Sequence, residues 1–162
     1  MNVREVQPEV DPDSVLAGAQ FADAYRVTVA DSKLNARAAA ERMFSRSPCW
    51  VQALVDLRNM MMAPFGLKIS GEGEPNAGGM IGLFPVINET PQRLVAGFND
   101  RHLDFRVVVE VTPATRGRDV TATTVVLTHN RLGRAYLAVI TPFHRLIAKT
   151  LLRQVCLTPA PR

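Results

Sequence analysis

Leu103-Asp104-Phe105-Arg106-Val107-Val108-Val109-Glu110-Val111 alternates in its apolar pattern. Leu103, Phe105, Val107, Val109 and Val111 fall on one side, and Asp104, Arg106 and Glu110 on the other. A period of two is that of a β-strand, because successive side chains point to opposite faces. One apolar face and one wet face predict an antiparallel sheet. Moving outward, strands are expected at Arg93–Phe98 and Arg118–Thr128, with a further one at Met80–Ile87. Asn88-Glu89-Thr90-Pro91 and Asn99-Asp100-Arg101 supply hairpin turn residues between them. Far upstream, Phe21–Val29 reads as a first strand with Phe21, Tyr25, Val27 and Val29 on one face. Asp23 falls in that same apolar register.

Helices flank these strands. Asn35 is a candidate N-cap for Ala36–Phe44, and Ser47-Pro48 restarts a second helix running to about Met62, before Pro64. Together they predict a helical hairpin after the first strand. Trp50 stands near the start of its second arm. A long amphipathic helix is expected from Leu132 to Val155. Tyr136, Val139, Ile140, Phe143, Leu146, Ile147 and Leu151 form one arc, while Arg134, Arg145, Lys149 and Arg153 stand opposite. His144 borders the apolar arc, and Pro142 removes a backbone donor and predicts a kink. The order is β-α-α-β-β-β-β-α. The fold class expected is α+β: a curved antiparallel sheet packed on the long C-terminal helix, with the hairpin closing one end.

The 162 residues suit a single domain, expected over 16–156, with a mobile leader at 1–15 and a flexible tail at 157–162. At 47% hydrophobic and 21% charged, the chain is neither disordered nor collagen-like. Residues 1–81 carry 8 basic and 10 acidic side chains, whereas residues 82–162 carry 11 and 5. No carboxylate side chain follows Asp119. Such asymmetry suits an anionic partner or a solvated helix face. Cys49 and Cys156 are far apart and join no Cys/His cluster, so neither a metal nor a cofactor is expected. No apolar run approaches the length of a membrane span, and no signal segment is visible, which predicts a cytoplasmic protein. Gly71-Glu72-Gly73 lacks the Gly-Lys-Ser/Thr and the following helix of a phosphate cradle.

Several strings also resemble a bacterial family of unknown function. They are Ala22-Asp23-Ala24-Tyr25-Arg26-Val27, Phe84-Pro85-Val86, Glu89-Thr90, Asn99-Asp100-Arg101-His102-Leu103-Asp104-Phe105-Arg106, Asn130-Arg131-Leu132-Gly133-Arg134-Ala135-Tyr136 and Pro142-Phe143-His144-Arg145-Leu146-Ile147. The likeness covers roughly residues 15–155. That family is similar to the START-like, helix-grip group, which includes polyketide cyclases, lipid-transfer domains and birch-pollen allergen relatives. The resemblance implies a cavity between sheet and long helix that takes apolar ligands. It implies no particular reaction. With fewer strands than the fullest members, this chain is expected to have a smaller or more open cavity.

Candidate site residues follow from position. Tyr136, Val139, Ile140 and Phe143 would line the pocket, with His144, Asp23 and Trp50 beside it. An inward carboxylate is costly without a partner, so Asp23 is expected either to pair with an arginine such as Arg101 or Arg106 or to be displaced by a strand bulge. Arg101, His102, Asp104 and Arg106, with Asp100, form the densest polar cluster, readable as a salt-bridge patch, a hydrogen-bond hub or an acid/base site. Met60, Met61 and Met62, with Met43 and Met80, are soft lining or ordinary core. No Gly-x-Ser-x-Gly elbow supports a serine hydrolase, and Cys49 with Asn130 and a distant His has no local motif.

Three function classes fit: a module binding a small hydrophobic or amphipathic molecule, a cyclase- or hydratase-type enzyme, and an interaction module with a basic helix face. Base stacking on nucleic acid is not expected, because Tyr136 and Phe143 lie on the apolar arc.

Overall fold

The computed structural model describes residues 2–46, 49, 52–53, 56, 78–82, 84–99 and 101–157. Seven strands make one antiparallel sheet: β1 (Arg4–Val6), β2 (Phe21–Val29), β3 (Met80–Ile81), β4 (Phe84–Glu89), β5 (Arg93–Asn99), β6 (Leu103–Ala114) and β7 (Gly117–Thr128). Their spatial order is β1-β2-β7-β6-β5-β4-β3. Helices α1 (Pro12–Val15), α2 (Ala36–Phe44) and α3 (Arg131–Leu157) complete the described elements. This is the curved sheet and long C-terminal helix that the alternation of β6 predicts.

The alternation also sets the core. Tyr25 and Val27 of β2 stand opposite Ala122 and Val120 of β7, which face Val109 and Val111 of β6. Leu94 of β5 continues the row beside Val109, and all of these side chains are buried. Helix α2 lies against this face through Ala36, Ala39, Ala40 and Met43, the three alanines permitting a close approach. Asn35 accepts a hydrogen bond from Ala38 N and starts that helix, as expected of an N-cap. Buried Arg42 reaches back 2.8 Å to Asp31, and that bond holds the Asp31 carboxyl below its ordinary range.

Several expectations are revised. The segment 1–15 holds β1, which pairs with β2, and the one-turn helix α1. Val10 and Leu16 are buried at 5% and 9% exposure, and Glu9 pairs with Arg26 on the reverse face of β2. The expected first strand is therefore the second. The Met80–Ile87 strand divides into β3 and β4 around Gly82, whose φ of 58° breaks the extended run. Of the expected second arm of the helical hairpin, Cys49, Gln52, Ala53 and Asp56 are helical. Its remainder, with Trp50 and Met60–Met62, lies outside the described residues, as do Asp100 and most of the Ser70–Gly79 loop.

Helix α3 is rotated from its expected setting. Its buried residues are Gly133, Ala148, Leu151, Leu152 and Val155. Val139, Phe143 and Leu146 are 67%, 49% and 53% exposed, so they do not line the sheet. The reason lies at the start of the helix. Asn130 Oδ1 caps Gly133 N at 3.0 Å, and a Cβ on Gly133 would lie 2.1 Å from the His102 carbonyl oxygen. The helix is thus seated by a residue with no side chain, which a hydropathy arc does not register. It continues unbroken through Pro142, and Thr141 Oγ1 donates to the Leu137 carbonyl at 2.6 Å.

Candidate functional site

Strand β2 presents Phe21, Asp23 and Tyr25 at successive inward positions, beneath α3. Asp23 does not pair with Arg101 or Arg106. His144 Nε2 lies 3.2 Å from Asp23 Oδ1, both side chains being mostly shielded. Phe21 meets the His144 ring edge-to-face, at 6.0 Å and 82°. Two residues singled out separately, Asp23 and His144, are therefore one unit. The shorter path wins because His144 sits on the arc of α3 that faces β2, whereas Arg106 projects from the reverse face of β6.

Tyr25 extends this unit and was not among the expected site residues. It is 1% exposed, and among the described residues none stands in hydrogen-bonding geometry to its hydroxyl. Burial foremost, then the negative charge of Asp23 and Glu5, pushes its pKa up to about 12, so the phenol stays neutral. Lys149 Nζ stands 5.7 Å from the centre of its ring. The i, i+2 spacing of Phe21, Asp23 and Tyr25 contained this grouping, but the phenol's missing partner is visible only in three dimensions.

A second grouping also escaped the sequence. Phe84 of β4, Phe98 of β5 and Phe105 of β6 form an aromatic cluster with centroid separations of 5.1 to 6.0 Å, and Phe44 of α2 meets Phe84 at 5.9 Å. The rings are only half-buried, although Phe98 and Phe105 lie opposite one another on the helix-bearing face. In the same row, Phe105 faces Val126 of β7, and Val126 faces Phe21. The aromatic row thus leads across the sheet toward the Asp23–His144 pair. On the helix, Tyr136, Leu137 and Ile140 are likewise half-buried, while one turn beyond His144 the inward face closes on Ala148, Leu151 and Leu152. Of the expected pocket residues, Tyr136 and Ile140 are half-buried, whereas Val139 and Phe143 are turned outward.

The polar cluster has separate, local partners. Asn130 Nδ2 donates to His102 Nδ1 at 2.7 Å, and His129 N donates to the His102 carbonyl at 2.9 Å. Asp104 Oδ1 lies 3.1 Å from His129 Nε2. The Arg106 guanidinium donates to the carbonyls of Phe98 and Phe105 and to Asn99 Oδ1, at 2.6 to 3.0 Å. Desolvation lowers its pKa, partly opposed by Asp104. Arg101 is exposed at the β5–β6 turn. These contacts fasten the β5–β6 hairpin and the start of α3 rather than converging on one reacting point.

Elsewhere, an open depression of about 790 Å³ is lined by Arg4, Thr28, Arg116 and Asp119 near the β6–β7 turn. Thr28 donates to Asp119 across its wall at 2.6 Å. No group of three or more metal-ligating side chains occurs among the described residues. None of their helices is long and apolar enough to cross a membrane.

Three solved structures are similar over most of the chain at low identity. A Rhodobacter sphaeroides protein matches with a TM-score of 0.46 and 13% identity, covering 96% of each chain. A Chromobacterium violaceum protein gives 0.47 and 11%, covering 87% of this chain and 98% of its own. CalU16 from Micromonospora echinospora gives 0.45 and 14%, covering 99% and 85%. No curated protein matches the sequence. A family model described as "Protein of unknown function (DUF2867)" matches residues 15–151, and the chain belongs to that family.

Proposed function

We propose that this domain binds a small hydrophobic or amphipathic molecule between the sheet and the first half of α3. The observation that carries the reading is the change in burial along one helix face. Beyond His144, Ala148, Leu151, Leu152 and Val155 are sealed against the core. Before it, Leu137 and Ile140 remain half-buried, and in the sheet Phe84, Phe98 and Phe105 are also half-buried. Ligand sites commonly combine such apolar walls with a few placed polar groups. Here the polar groups are Asp23 and His144, joined by their 3.2 Å contact. The START-like resemblance points to the same region.

An enzymatic reading rests on one specific observation, the Asp23–His144 pair itself. A carboxylate that orients an imidazole is a recurrent general-base arrangement, effective only within hydrogen-bond reach of a substrate.

The test compares native and denaturing mass spectra of protein freshly purified from its own host. It is followed by titration of the stripped protein with 1-anilinonaphthalene-8-sulfonate. A stoichiometric adduct lost on denaturation, and probe binding weakened about tenfold by Ile140→Trp at unchanged Tm, are the expected results. His144→Ala should weaken retention of the adduct without unfolding the domain. A clean mass together with probe binding indifferent to Ile140→Trp would overturn the proposal. Turnover of the recovered molecule, lost in His144→Ala, would establish the enzymatic reading instead.

A further inference from the structure

Helix α3 is apolar on two faces. The inward one packs on the core through Gly133, Ala148, Leu151 and Val155. About half a turn away, Val139, Phe143 and Leu146 point outward within roughly 60° of arc, at about 100° per residue. Ala135, Ala138 and Pro142 are exposed beside them, so no polar side chain interrupts this patch over its central turns. Large apolar side chains exposed together are uncommon on a soluble surface and mark a contact.

The border of the patch identifies the partner's chemistry. Arg131, Arg134, Arg145 and Arg153 are exposed along one side of the stripe, and none forms an ion pair among the described residues. The helix contains no Asp or Glu. We infer that the outward face of α3 docks on an anionic lipid bilayer surface, with Val139, Phe143 and Leu146 entering the acyl boundary and the arginines meeting lipid phosphates. An apolar stripe with a cationic border is the arrangement of interfacial helices. Nucleic acid complements the arginines but offers the exposed Phe143 and Val139 no apolar seat. A second copy of the chain complements the stripe but sets the arginine rows of both helices close together. The bilayer alone satisfies both features. This docking is independent of the ligand site proposed above, because the two use opposite faces of the helix.

Cosedimentation of the full chain with two vesicle preparations tests it: phosphatidylcholine alone, and phosphatidylcholine with about 30 mol% phosphatidylglycerol. The anionic vesicles should bind at least about tenfold more protein than the neutral ones. Val139→Ser with Phe143→Ser should reduce that binding about tenfold, and Arg134→Gln with Arg153→Gln by roughly fivefold for each arginine. All four positions are exposed, so an unchanged Tm verifies folding. Failure to bind either vesicle would overturn the inference, as would equal binding to both or indifference to Val139→Ser with Phe143→Ser. A concentration-dependent dimer abolished by those two serines would assign the patch to self-association. Retention on duplex DNA that survives them, without vesicle binding, would assign the arginines to nucleic acid.

Discussion

Among the described residues no group stands in hydrogen-bonding geometry to the Tyr25 hydroxyl, although the Asp23 carboxylate is near enough to raise its pKa, against the rule that buried polar groups are paired. A buried, unsatisfied hydroxyl contributes nothing favourable and carries a desolvation penalty of about 1–3 kcal/mol. Tyr25→Phe should therefore leave stability unchanged or raise it by about 1 kcal/mol, read as Tm by calorimetry. A loss of stability would show that the hydroxyl has an undetected structural partner. If the ligand site uses this phenol, the same substitution weakens ligand retention while Tm holds or rises. The residue scale also shows where sequence reading succeeds and stops. Asp23 stood out because a carboxylate sat in an apolar register, and His144 because an imidazole bordered an apolar arc. Their meeting, at 3.2 Å, depends on the rotation of α3 relative to β2, which no spacing within either element encodes.

At the scale of the element, the sheet was the legible part. Alternation in β2 and β6 gives strand identity and face together, because a slip of one residue would turn every apolar side chain outward, and the turn residues at 88–91 and 99–101 give the neighbours of β5. The single Met80–Ile87 run is split in the structure because Gly82 takes a positive φ. Helix α3 was legible in extent and misread in rotation. Its largest apolar side chains suggested the buried face, but its seating is decided by Gly133 and Ala148. Gly133→Ala separates these two readings. Intrinsic helix propensity favours alanine by about 1 kcal/mol, so a helix without the close contact would be stabilised. Against the His102 carbonyl, the added methyl should instead lower stability by about 1–3 kcal/mol, seen as a fall in Tm. A rise in Tm would mean that α3 does not rest on that carbonyl.

For the whole molecule, the least legible part was the chain before β2. Pro8, Pro12 and four acidic residues have the composition of a mobile end, and the scattered Val3, Val6, Val10, Val15 and Leu16 show no sustained periodicity. Yet Val10 and Leu16 are buried, Gln20 Oε1 accepts from both the backbone and the hydroxyl of Thr128, and Glu9 meets Arg26. Leu16→Ala should lower stability by about 2–3 kcal/mol in a denaturant titration; a loosely attached leader would give almost none. The sheet's order gives β1 another consequence. The outermost strands of this sheet are β1, three residues long, and β3, two residues long. Each offers too few open backbone groups to template a strand from a neighbouring molecule. Were β1 to detach, the outer strand would become β2, with nine residues of apolar alternation and a full row of hydrogen-bonding groups. By lying along β2, the short strand β1 thus keeps that row of hydrogen-bonding groups paired within the molecule instead of open to a strand from another.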